Sequence, residues 1–175
     1  MLGLTAYGSQ PGTPTRVRHN YHILLVEDNL INQKVLSKQL RGVGCTVHVA
    51  NHGVEALDFL AKTTLWNDSS GGDQRMELSL ILMDLEMPVM DGLTCCRRIR
   101  DLQRERKIKI HVPIIAVTAN ARTEQMDVAI EAGMVRRSIS PLLWFSLIAI
   151  QDDIVTKPFH IPELMQKMDQ LMSQQ

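Results

Sequence analysis

Two hydrophobic patterns alternate along this chain. The first is the short continuous apolar run. His22 to Val26 (HILLV), Leu80 to Met83 ahead of Asp84, and Pro113 to Val117 are each closed by polar or turn residues. Runs of this kind suit strands buried on both faces. Thr46 to Ala50 and Asp153 to Thr156 read as two further short strands. The second pattern repeats at three and four residues, the spacing of a helix face. It covers Ile31, Val35, Leu36 and Leu40 within Leu30 to Arg41, then Val54, Leu57, Leu60 and Ala61, then Leu93, Cys96 and Ile99. It returns at Met126, Ala129 and Ile130, and is clearest in Ile161, Leu164, Met165, Met168, Leu171 and Met172, with Pro162 in the first turn. Asn29 is placed to cap the first helix, and Gly42 and Gly44 to stop it. Strand and helix patterns taking turns predict an α/β fold, a parallel sheet between two helix layers. Right-handed crossovers then bring every strand's C-terminal end to one edge.

The other segments set the boundaries. Residues 1–20 are rich in Gly, Pro, Ser and Thr without a period, and read as a linker or disordered lead. Residues 21–175 form one domain, long enough to bury a sizeable core. Thr63 to Glu77 reads as a surface loop, longer than most connections.

Composition removes several classes of function. The formal net charge is zero, so no bulk field draws the chain to nucleic acid or a membrane surface. The basic stretch Arg97 to Lys109 is interrupted by acids and lacks aromatics, as a solvated helix face does. Three cysteines without CxxC spacing fit a reduced, cytoplasmic setting, and the histidines show no zinc-ligand spacing. The longest apolar run, Leu142 to Ile150, is too short to span a bilayer, and no signal peptide is evident.

The shared sheet edge carries the chemistry. The first strand runs into Glu27 and Asp28, the third ends in Asp84, the fourth in Thr118 and the fifth in Lys157. Carboxylates held close repel one another unless a cation intervenes. All-oxygen donors suit Mg²⁺, which keeps several waters and takes only one or two carboxylates. A cation, an ammonium and a hydroxyl around one carboxylate make a site that stabilises a transferring phosphoryl group. Asp84 is then the nucleophile, forming an acyl phosphate.

Six segments taken in order, ILLVEDNLINQKV, ANHGVEAL, LILMDLEMPVMDG, VPIIAVTANA, EAGM and DDIVTKPF, resemble the response-regulator receiver domain, of the type found at the C-terminus of fungal hybrid histidine kinases. They cover most of Tyr21 to Gln175. The resemblance implies a flavodoxin-like five-stranded parallel sheet of order 2-1-3-4-5. It makes Asp84 the phosphoacceptor, Glu27 and Asp28 the acidic Mg²⁺ pair, and Glu86 the residue that gives its backbone carbonyl to the metal. Thr118 becomes the switch hydroxyl and Lys157 the phosphate-binding lysine. The implied donor is a histidine-phosphotransfer protein or a histidine kinase domain. The expected role is phosphorelay signalling, not turnover of a substrate. Any kinase activity would belong to an upstream part. Two other readings stand beside it: a pseudo-receiver, disabled by an insert at residues 135–151, that binds a partner without phosphorylation, and a haloacid-dehalogenase-type phosphohydrolase. The latter class uses the same Asp-x-Glu spacing as Asp84 and Glu86 but carries its metal acids late in the chain.

The chain departs from the family twice. Ile154 stands where an aromatic residue usually precedes the lysine by three positions. Val135 to Gln151, seventeen residues of which ten are apolar, separates EAGM from DDIVTKPF, between the fourth helix and the fifth strand. Removing it restores the family pattern. A valine codon begins GT and the glutamine codon CAG ends AG, so we read the insert as a translated, in-frame retained intron. A family-specific insertion is the rival reading. Its apolar content is an expected aggregation hazard.

Overall fold

Consecutive side chains on a strand point to opposite sides, so an unbroken apolar run is stable only when both sides are covered. The computed structural model of the chain describes residues 20–67, 75–118 and 153–173, and shows this arrangement. Five strands, β1 (His22–Val26), β2 (Thr46–Ala50), β3 (Leu80–Asp84), β4 (Ile114–Thr118) and β5 (Asp153–Thr156), form one parallel sheet in the order β2-β1-β3-β4-β5. Four helices are numbered among the described residues: α1 (Leu30–Gly42), α2 (Gly53–Leu60), α3 (Gly92–Arg104) and α4 (Ile161–Met172).

Alternate strand residues feed two cores. Leu24, Val26, Ile81, Met83 and Ile114 pack with Ala56 and Leu60 of α2 and with Cys95, Cys96 and Ile99 of α3. Ile23, Leu25, Leu80, Leu82, Ile115 and Val155 pack with Leu36 and Leu40 of α1 and with Leu164, Met165 and Met168 of α4. The two helix layers and the sheet order are those expected. β3 and β4 are buried along their whole length, as central strands should be.

Local signals set the helix ends. The Asn29 side chain accepts from the backbone N–H of Ile31 and Asn32, so it caps α1 as anticipated. Gly44, at φ 101°, ends the same helix in the left-handed region where glycine carries no steric penalty. The far end of the chain is tied down by side chains. Lys167 Nζ on α4 donates to Asp153 Oδ1 at 2.8 Å, and Tyr21 Oη donates to Asp169 Oδ1 at 2.8 Å.

Two expectations need correction. Ile31 and Val35 do not belong to the inward face of α1; they are 72% and 52% exposed. The buried face is Gln33, Leu36, Ser37 and Leu40. The Thr63–Glu77 segment is anchored where it is described. Thr63 is fully buried and bridges Met76, and Trp66 bridges Ile108. The lead at 1–20 apart from Asn20, the helix expected around Met126 to Ile130, and the insert at 135–151 lie outside the described residues. Among the described residues, no helix is long and apolar enough to cross a membrane.

Candidate functional site

Parallel pairing fixes what meets at the C-terminal edge. Asp84 pairs with Val117 across the β3–β4 ladder, so Thr118 stands one residue beyond the level of Asp84. Thr118 in turn pairs with Thr156, and its carbonyl accepts from Lys157 N–H at 2.7 Å. Glu27 and Asp28 follow directly on β1, the neighbour of β3.

The side chains converge. Carboxylate oxygens of Glu27, Asp28 and Asp84 all lie within 4.8 Å of one another. Lys157 Nζ sits between two of the acids, 2.6 Å from Asp84 Oδ2 and 2.7 Å from Glu27 Oε2. The Glu27 and Asp84 side chains are only 3% and 9% exposed, so these are charges held largely out of water. Asp28 is exposed. Burial works against the Lys157 ammonium, but its hydrogen bonds to Asp84 and Glu27 and their charges outweigh it, and Lys157 titrates above the ordinary lysine value. Three formal carboxylates against one ammonium leave negative charge in excess. A hard divalent cation with oxygen ligands fits that donor set, so the acidic cluster is one that can bind magnesium.

The β3–α3 turn shapes the Asp84 side of the cluster. Glu86 N–H donates to Asp84 Oδ1 at 3.1 Å, so both Asp84 oxygens carry a hydrogen bond. The resemblance had pointed only to the Glu86 carbonyl. Gly92 opens α3 against the backbone of Asp84: a Cβ there would collide with the Asp84 carbonyl and lie 2.9 Å from Leu85 Cα. Val89 adopts φ 68°, which a β-branched residue rarely does, and is 81% exposed beside the site.

A polar set behind Glu27 was not among the expected site residues. Asn32 Nδ2 donates to Glu27 Oε1 at 2.9 Å. The buried Gln33 amide donates to the Glu27 carbonyl and, at 2.8 Å, to Asn51 Oδ1. The signal was available: with Leu36 and Leu40 inward, position 33 falls on the same helix face.

Residues 23–137 match the response regulator receiver domain family. The match stops just inside the segment that departs from the family pattern. Hybrid signal transduction histidine kinase M of Dictyostelium discoideum is 36% identical over 76% of this chain, which covers 5% of that protein. Transcription factor SKN7 of Saccharomyces cerevisiae is 31% identical over 82% of the chain and 17% of its own length. The chain therefore spans a small part of the curated relatives it matches. Among solved structures, the receiver domain of a Pseudomonas aeruginosa sensor histidine kinase, with a magnesium ion coordinated in its active site cleft, is 29% identical. It aligns over 89% of this chain and 99% of its own, with a TM-score of 0.58. The co-crystal of the Saccharomyces cerevisiae histidine phosphotransfer protein Ypd1 with the receiver domain of Ssk1 matches at 28% identity and a TM-score of 0.59, over 90% of this chain and 92% of that one.

Proposed function

The chain belongs to the response regulator receiver family, a signalling domain of two-component phosphorelays, and from that premise we propose that Asp84 accepts a phosphoryl group from a phosphohistidine donor. The observation that carries this reading is the buried Asp84 carboxylate at the tip of β3, with Lys157 Nζ at 2.6 Å and carboxylate oxygens of Glu27 and Asp28 within 4.8 Å.

An Asp84 oxygen attacks phosphorus. The P–O bond forms as the P–N bond to the donor imidazole breaks, and the nitrogen keeps the electron pair. Lys157 meets the charge that builds on the phosphoryl oxygens, and its raised pKa keeps it protonated for that task. Glu86 N–H orients the carboxylate. Thr118, at the tip of β4, stands as the switch hydroxyl that reports the modification. Ile154 on β5 stands where the family usually has an aromatic residue, so position 154 offers no ring to reorient when the hydroxyl engages the phosphate. Glu27, Asp28, Asp84 and the Glu86 carbonyl would hold Mg²⁺, which neutralises charge on the phosphoryl group when bound.

The surroundings fit a protein donor. Leu30, Ile31 and Val35 on α1 and Val89 in the β3–α3 turn are 52% to 81% exposed, and Leu30 follows Asp28 by two residues. Apolar side chains beside a charged site suit a histidine-bearing helix, as a phosphotransfer protein or kinase domain presents.

The test is incubation with acetyl phosphate and MgCl₂, followed by intact mass, for the wild type and Asp84→Asn. A gain of one phosphoryl group in the wild type alone supports the proposal. No gain in a folded wild type favours a pseudo-receiver. Steady turnover of p-nitrophenyl phosphate favours a phosphohydrolase.

A further inference from the structure

Two neighbouring residues of α1 hold the same residue at the tip of β1. The β1–β2 ladder ends at the Val26–Ala50 pair, with one further rung from Glu27 N–H to the Ala50 carbonyl at 3.1 Å. The Glu27 carbonyl lies one step past that last pair. A carbonyl on a buried residue needs a donor. The Gln33 side chain supplies it, and the same Nε2 also donates to Asn51 Oδ1 at 2.8 Å. Asn51 is fixed from behind: Glu55 Oε2 accepts from its backbone N–H at 2.7 Å and from its side-chain amide at 2.8 Å. Gln33 thus adds a side-chain rung where the strand ladder stops. Asn32 acts on the carboxylate of the same residue, donating to Glu27 Oε1 at 2.9 Å while Lys157 takes Oε2.

We propose that Gln33 and Asn32 are positioning residues for the acidic pair. Gln33 sets the direction in which the Glu27–Asp28 peptide leaves β1, and Asn32 sets the rotamer of the Glu27 carboxylate. The inference rests on the reading of Glu27 and Asp28 as metal-binding acids. Its physical basis is the narrow geometry that Mg²⁺ accepts. Asp28 is exposed, so its aim depends on the backbone that carries it. Groups that orient metal-binding side chains are typically worth about 10- to 100-fold in affinity. A buried glutamine kept for packing alone would move stability and leave the affinity of the folded protein unchanged.

The experiment titrates MgCl₂ into the full chain by calorimetry, with thermal unfolding in EDTA alongside. Gln33→Met removes the amide at nearly constant shape and charge. Asn32→Ala removes an exposed amide outside the core. The expected result is Mg²⁺ binding about tenfold weaker in Gln33→Met and several-fold weaker in Asn32→Ala, the latter with unchanged unfolding in EDTA. Asn51→Ala added to Gln33→Met should cost no further affinity, because the relay is already cut. Affinity within about twofold of wild type in the folded variants overturns the proposal. If Gln33→Met does not fold, Asn32→Ala decides by the same criterion. If the wild type itself binds no Mg²⁺, the metal reading falls first, visibly and before any variant is made, and takes this inference with it.

Discussion

Replacing Lys157 by Met tests the electrostatic logic of the site directly. Met keeps most of the stem's volume and removes the charge. At 2.6 and 2.7 Å, each ammonium–carboxylate pair is worth about 6 kcal/mol of gross attraction at an effective dielectric of about 20. Desolvation and the lost freedom of the lysine stem offset much of that. Removing one partner is different from never burying the pair, because it strands the other charges; the usual cost is about 3–5 kcal/mol. Lys157 is 23% exposed and thus partly screened, so the low end applies, about 3 kcal/mol. In a chain of this length that lowers Tm by roughly 9 °C. The assay is thermal unfolding followed by circular dichroism in EDTA and again in excess MgCl₂. Mg²⁺ neutralises the same carboxylates, so it should restore most of the deficit and stabilise the variant more than the wild type. A variant as stable as wild type in EDTA would refute the claim that these acids need a counter-charge. A deficit of equal size with and without Mg²⁺ would show that the lysine acts through packing.

Gly92→Ala should cost about 1–3 kcal/mol, because its Cβ meets the Asp84 backbone, and should slow acetyl-phosphate labelling; unchanged unfolding and labelling would refute the close approach. Tyr21 has its phenol pushed up to about 12, first by burial and then by its bond to Asp169. The neutral phenol's contribution is therefore complete below about pH 10 and lost as the pH rises to about 12. Ultraviolet titration of wild type and Tyr21→Phe checks this, and loss of a component near pH 10 rather than near pH 12 would count against it. Deleting residues 135–151 should raise both soluble yield and labelling; equal values with and without the segment would favour a native insertion.

The strand tips were legible in the sequence because burial on both faces leaves no room for polar residues until a strand ends. Val26-Glu27-Asp28, Met83-Asp84 and Val117-Thr118 each show that step. The first helix's cap, Asn29, was legible for a similar local reason: an amide just before an apolar period lies beside the unpaired backbone N–H groups of the first turn. The face of α1 was not. Ile31 and Val35 satisfy the same spacing as Leu36 and Leu40, and periodicity alone gives no preference between two overlapping stripes.

The sequence by itself determined the alternation of elements, the parallel sheet and the acids, hydroxyl and lysine at its edge, since these follow from local polarity and from the handedness of the chain. Only the tertiary structure decided that Lys157 bridges Glu27 and Asp84, that Gln33 completes the β1 tip, and that Gly92 must lie bare against Asp84. Those contacts join residues from separate elements, up to 130 positions apart. Their distances are set by how layers pack, and no spacing along the chain encodes that.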